Sequence, residues 1–148
     1  MKRILPFVLA AFIPATLLAD DAISARESVM IGSTENVELS TFLWEKRPII
    51  VFADSPDDPR FAEQMALLNA DLEELRDRDV VVLTDTDPDA RSSLRLKLRP
   101  RGFMMALVGK DGGVKLRKPL PWTVREITRS IDKMPIRQRE VEERRNSG

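Results

Sequence analysis

The sequence predicts an α/β domain with a mixed four-stranded core sheet and helices on both faces. Three observations lead there. Pro48–Ala53 and Val80–Leu83 are continuous apolar runs rich in β-branched residues, the pattern of strands buried on both faces. Between them Phe61, Met65, Leu68, Leu72 and Leu75 recur at alternating spacings of four and three, the stripe of an amphipathic helix. A strand–helix–strand crossover of this kind makes the two strands parallel. Further on, Gly109-Lys110-Asp111-Gly112-Gly113 supplies a tight turn between two more apolar segments, so the last two strands are antiparallel.

The elements follow in order. Met1-Lys2-Arg3 is basic, Ile4 to Leu18 is apolar or small apart from two prolines and Thr16, and Ala19 is a small-residue exit. Residues 1–19 therefore read as a secretory signal peptide cleaved near Ala19, of a bacterial kind that delivers the chain to the periplasm or beyond. The apolar run is shorter than the roughly 20 residues of a spanning helix, and Pro14 interrupts it, so no membrane span is expected after cleavage. Residues 20–36 read as an irregular lead-in. Val37-Glu38-Leu39 is a short-strand candidate, and Ser40 is placed to cap a turn that buries Phe42 and Trp44. Asp58 before Pro59 is an N-cap followed by proline at the first helical position. A shorter helix spans Ala90 to Leu98 and ends at Pro100-Arg101-Gly102. Phe103–Val108 and Val114–Leu116 are the last two strands. Thr123 and Glu126 make a capping box, after which Val124, Ile127, Ile131 and Met134 form an inner stripe that Pro135 ends. Residues 136–148 read as a charged tail. Arg139 with Glu143 and Glu140 with Arg144 are four apart, as on a solvated helix with little to bury. The domain proper spans residues 37–135.

Composition removes much chemistry. The chain of 148 residues has no Cys, His or Tyr. Without Cys there is no thiolate nucleophile, disulfide or dithiol redox pair, and without His the commonest general base and zinc ligand are missing. Carboxylates, Lys, Arg and hydroxyls remain.

The element order is that of the thioredoxin core. Pro48-Ile-Ile-Val-Phe-Ala-Asp-Ser-Pro-Asp-Asp-Pro-Arg60, Val108-Gly-Lys-Asp-Gly-Gly-Val-Lys-Leu-Arg117 and Ile131-Asp-Lys-Met-Pro-Ile-Arg137 together resemble the P-DUDES family over roughly residues 39–139. The resemblance implies a peroxiredoxin-like, thioredoxin-fold domain of the sort found in exported bacterial proteins and vertebrate extracellular-matrix proteins. Where a thioredoxin carries Cys-x-x-Cys, this chain has Ser55-Pro56-Asp57-Asp58. Pro100 lies near the place where a thioredoxin has its cis-proline, but Arg101 and Gly102 intervene before the strand.

Loops that follow adjacent parallel strands share one edge of a sheet. Asp54, Asp57 and Asp58 follow one such strand, and Asp85, Asp87 and Asp89 follow the other. Asp54, Asp57, Asp85 and Asp87 are thus candidate ligands for Ca²⁺ or Mg²⁺, which prefer oxygen donors. The same residues are ordinary turn formers and helix caps, and Ala90 and Leu96 stand where a calcium loop needs Gly and Glu. Ser55, Asp57, Asp58 and Arg60 form a second candidate, an anion or binding site at a helix start. Arg99 and Arg101 form a third. Formal net charge is +0, yet it divides unevenly: residues 20–90 carry about −12 and residues 91–148 about +10. Such halves either pair with each other or present a basic face to anionic glycans, lipid headgroups or an acidic envelope protein. Nucleic acid is not expected for an exported chain with 5% aromatics. The reading these observations favour is a non-enzymatic binding or structural module of the cell envelope. The alternatives are a metal-assisted hydrolase at the Asp-rich rim and a residual peroxiredoxin-like activity, the latter lacking its thiolate.

Overall fold

At the centre of the computed structural model, which describes residues 23, 24 and 26–148, two parallel strands pair in register. They are β2 (Arg47–Phe52) and β3 (Val80–Asp85), with Arg47 opposite Val80 and Phe52 opposite Asp85. The expected signal segment lies outside the described residues. All six β2 residues are buried. Their alternation sorts the core into two layers: Ile49 and Val51 face one, Ile50 and Phe52 the other. On the second side of β2 runs β4 (Met104–Val108), antiparallel, and β5 (Val114–Lys118) pairs antiparallel with β4. Gly112 takes a positive φ of 81° in the turn between them, as its place after Asp111 requires.

The sheet has five strands, in the order β1-β3-β2-β4-β5, rather than four. The added edge strand, β1 (Met30–Ser33), lies parallel to β3 within the segment expected to be irregular. It is four residues long and its register shifts near Gly32, which leaves no readable alternation. Val29, just before it, is fully buried in the core.

One helical layer holds α1 (Pro59–Ala70), α2 (Leu72–Arg76) and α4 (Val124–Asp132). The expected single helix is broken at Asp71 (φ −138°, ψ 54°), yet Phe61, Met65, Leu68, Leu72 and Leu75 all still pack on the same core face. Both hydrogen bonds of the Thr123–Glu126 capping box are made. The other layer holds a 3-10 turn (Leu39–Phe42) and α3 (Ser93–Leu98). Here four expectations change. Val37–Leu39 is not a strand; Glu38, not Ser40, precedes the turn. Phe42 is buried but Trp44 is 66% exposed, because the chain passes through a left-handed conformation at Trp44 (φ 64°) to enter β2. The helix expected from Ala90 starts only at Ser93: Pro88–Ala90 forms a 3-10 turn, Arg91 is left-handed, and Ser92 then caps α3 by accepting the Arg95 N–H.

The charged tail is not a frayed appendage. Pro135 ends α4 and also begins α5 (Pro135–Asn146), which is held against the start of β2 by charge. The Arg47 guanidinium, 1% exposed, donates to the Arg78 carbonyl and to both oxygens of Glu140. Lys110 Nζ lies 2.7 Å from Glu140 and 2.8 Å from Asp79. Arg137 and Arg144 both pair with Asp77, and Arg78 pairs with Asp132. Glu140 and Arg144 therefore reach across to the body of the domain instead of to each other. Several of these pairs join the acidic half of the chain to the basic half.

Acid sensitivity follows. Burial pushes the Glu140 carboxyl up, but hydrogen bonds from Lys110 and Arg47, with their charges, outweigh it and hold it below the ordinary 4.5. For Asp77, burial likewise acts upward and the Arg144 and Arg137 contacts prevail; for Asp132 the Arg78 hydrogen bond leads. Each folded pKa lies below its unfolded value, so the unfolded chain binds more protons as the solution becomes acidic. The stabilisation is complete above the unfolded values of 3.8 and 4.5 and disappears as pH falls through the lower folded ones. Asp77 and Asp132 are about half exposed and contribute weakly. Urea midpoints are expected to be level from about pH 8 to about pH 6 and to drop steeply below about pH 4.5; midpoints unchanged down to about pH 3 would contradict this account.

Candidate functional site

The loops after β2 and β3 emerge on one sheet edge, as parallel strands require. On the first loop, the Ser55 Oγ accepts the Asp57 N–H at 3.1 Å, which builds the turn. The Asp58 carboxylate caps α1, accepting the Arg60 N–H at 2.9 Å, and also accepts from the Arg60 guanidinium at 3.0 Å. That side-chain contact with Arg60 holds the Asp58 carboxyl below the usual range. Arg60 lies over the Phe103 ring, 5.7 Å from its centroid. Ser55, Asp57, Asp58 and Arg60 are thus together on one turn. Among the described residues no carboxylate bonds the Ser55 hydroxyl, so it has no base to activate it.

On the second loop Asp85 turns inward and is 6% exposed. It accepts from Thr34, from Ser92 and from the Arg95 guanidinium, the last at 2.8 Å. Burial pushes its carboxyl up, but the Arg95 and Ser92 hydrogen bonds outweigh this and leave it lowered. Arg95 also donates to the Ala53 carbonyl and lies 5.5 Å from the Phe52 centroid, so one guanidinium ties the ends of β2 and β3 to α3. Sequence reasoning missed Arg95, Ser92 and Thr34 as partners of Asp85; spacings of 10, 7 and 51 residues carry no periodic signal.

The remaining carboxylates of the rim go separate ways. Asp54 is largely exposed, 4.0 Å from Arg95. Asp87 caps the 3-10 turn by accepting the Asp89 N–H. Among the described residues, no three acidic side chains gather closely enough to hold a metal ion. None of the described helices is long and apolar enough to cross a membrane.

Arg99 and Arg101 lie where α3 gives way to β4. Arg99 ends α3 in a left-handed conformation (φ 50°), its N–H donating to the Arg95 carbonyl. The antiparallel register that sets Ala106 opposite Arg117 and Met105 opposite Lys118 brings the end of β5 to the same place. Arg99, Arg101, Arg117 and Lys118 line a groove of about 310 Å³ floored by Phe103, Met104 and Pro119, with no acidic residue in the lining. Arg117 donates to the Leu98 carbonyl, and Lys118 sits 4.4 Å from the Trp122 centroid. The Arg99 and Arg101 side chains are exposed and have no partner among the described residues. Charge counting along the chain found these cations; their convergence on one groove needed the strand register.

The pattern of a family described as "Domain of unknown function (DUF4174)" matches residues 38–140. Among solved structures, the fold is similar to that of a Plasmodium yoelii Prx1a modified at the N-terminus, described as forming an artifactual octamer. The TM-score is 0.50 and the identity 18%, over 65% of this chain and 77% of that one. Plasmodium yoelii thioredoxin peroxidase I aligns at 18% identity over 65% of this chain and 76% of that one, with a TM-score of 0.47. The Prx1a likeness shows the thioredoxin-type fold and nothing of activity.

Proposed function

The chain belongs to the family described as domain of unknown function DUF4174, and we propose that it is an exported, P-DUDES-type domain that binds a polyanionic partner in the cell envelope. One observation carries the reading. The cations buried in the fold are matched by carboxylates, as at Arg47, Arg95, Lys110 and Arg137, whereas Arg99 and Arg101 stand exposed and unpaired beside Arg117 and Lys118 in a groove without an acid. Such a concentration of one sign raises the local density of anions and speeds their capture. The loop that holds the redox cysteines in thioredoxins has Ser55, Asp57 and Asp58 building a turn and a helix cap, and the chain has no thiol. Binding, not disulfide or peroxide chemistry, fits these residues.

Retention on a heparin matrix tests the proposal. The protein is expected to be held at low salt and released as salt rises, since screening weakens exposed charge contacts. Arg99→Glu with Arg101→Glu is expected to abolish retention while leaving the urea midpoint within about 0.5 kcal/mol of the parent stability. Equal retention by parent and double variant would overturn it. The export part has its own readout: fractionation of bacteria making the full chain is expected to place it outside the cytoplasm with a new N-terminus after Ala19, and an uncleaved cytoplasmic product would contradict export.

A further inference from the structure

The opposite edge of the sheet holds a second depression. Because β4 runs antiparallel to β2, Gly109 and Lys110 arrive beside Trp44 and the start of β2; the first turn of α5 closes the other side. The cleft between them has a volume of about 630 Å³, within the range of small-molecule pockets. Its apolar wall is formed by Trp44, Leu116, Met134 and Ile136. Its cations are Arg47, Lys110, Lys115, Lys133 and Arg139, and Asp111 is the sole acid in the lining.

Most of these charges are already matched. Lys115 pairs with Asp111 at 2.9 Å, and Arg47 and Lys110 pair with Glu140. Lys133 and Arg139 are left, both exposed and both without a side-chain partner among the described residues. Trp44 is a separate signal. A bulky side chain with positive φ is uncommon and has to be enforced by its surroundings. Here the enforcing contact is the Trp44 N–H donating to the Lys110 carbonyl at 2.7 Å, and the indole is nonetheless left 66% exposed at the lip of the cleft. The first turn of α5 contains no acid and its N-cap, Met134, makes no side-chain cap, so nothing negative competes with a ligand there.

We propose that this cleft binds a small amphipathic carboxylate, with the apolar body against Trp44, Leu116 and Ile136 and the carboxylate toward Lys133 and Arg139. A neutral hydrocarbon leaves the two free cations unmatched. A polyanion without an apolar body leaves the indole and the floor in water. One charge on an apolar body satisfies both.

Titration with octanoate, acetate and octanol tests this. Trp122→Phe leaves Trp44 as the single indole, since the chain has two Trp. Calorimetry on the unaltered protein gives the same comparison should Trp122→Phe fail to fold. Octanoate is expected to bind saturably with a dissociation constant below about 1 mM and to shift the Trp44 emission to shorter wavelength. Acetate and octanol are each expected to bind at least about tenfold more weakly, and Lys133→Glu with Arg139→Glu to weaken octanoate by at least about tenfold. Any one of these would overturn the proposal: no saturable octanoate binding, octanol or acetate binding as tightly as octanoate, or octanoate affinity unchanged in the double variant.

Discussion

Val51→Asp is expected to abolish folding. Val51 is fully buried, with Thr84 of β3 on one side and Met105 of β4 on the other, and it packs into the core layer beneath α1, α2 and α4. Its cluster is apolar, and Arg47, the buried cation on the same face of β2, lies four residues away and is already bonded to Glu140 and the Arg78 carbonyl. Burying an unpaired polar group costs about 2–7 kcal/mol, and a charge costs more unless it takes a proton. Loss of the valine packing adds to this, against a total stability of about 5–15 kcal/mol for a domain of this kind. Lys115→Asp also introduces a carboxylate, with a larger charge change, but on the exposed hairpin, where it removes the Asp111 ion pair, and is expected to cost under about 1 kcal/mol. Urea melts separate the two, and a similar loss for both would contradict the burial argument.

Glu140→Ala is expected to cost about 3–5 kcal/mol, far above the usual effect of a change on a polar helix. Its carboxylate faces Arg47, Lys110 and Arg137. Arg47 is nearly inaccessible and its Nε already lacks a partner, so removing Glu140 leaves a buried guanidinium with only the Arg78 carbonyl. Without Glu140 the α5 helix is left with the contacts of Arg137 and Arg144 to Asp77 to hold it down. Glu142→Ala on the same helix is exposed and is expected to stay within about 0.5 kcal/mol. The check is a pair of urea melts with limited proteolysis between residues 132 and 136: Glu140→Ala cut as slowly as the parent, with an unchanged midpoint, would remove the electrostatic clamp from this account.

Those two residues also mark what the sequence conveys and what it does not. Val51 sits inside Pro48–Ala53, and an apolar run without alternation by itself announces burial on both faces. The Thr123–Glu126 box and the Asp58-Pro59 start are equally plain, because local hydrogen bonds fix them. Glu140 is not plain. Its spacing to Arg144 is that of a surface pair, and only the docking of α5 on the start of β2 shows that Arg47, which precedes a proline and looks like a turn residue, is its partner. At the candidate site the same division holds. Ser55, Asp57, Asp58 and Arg60 are legible as one turn, and the pairing of Asp58 with Arg60 follows from adjacency. Asp85 looks like a rim carboxylate and is instead an interior anchor for Arg95, a contact made across the fold. Arg99 and Arg101 are visible as charge, whereas Arg117 and Lys118 join them only through the β4–β5 register.

In the proposed function the free cations of the α3–β4 edge, not the loop in the place of a thioredoxin active site, meet the partner. Backbone amide shifts recorded while a short heparin oligosaccharide is titrated in test it most directly. The account predicts saturable shifts concentrated at Arg99, Arg101, Arg117 and Lys118, weakening as salt is added, with little change at residues 54–58. Shifts centred on residues 54–58, or no saturable change at low salt, would contradict it.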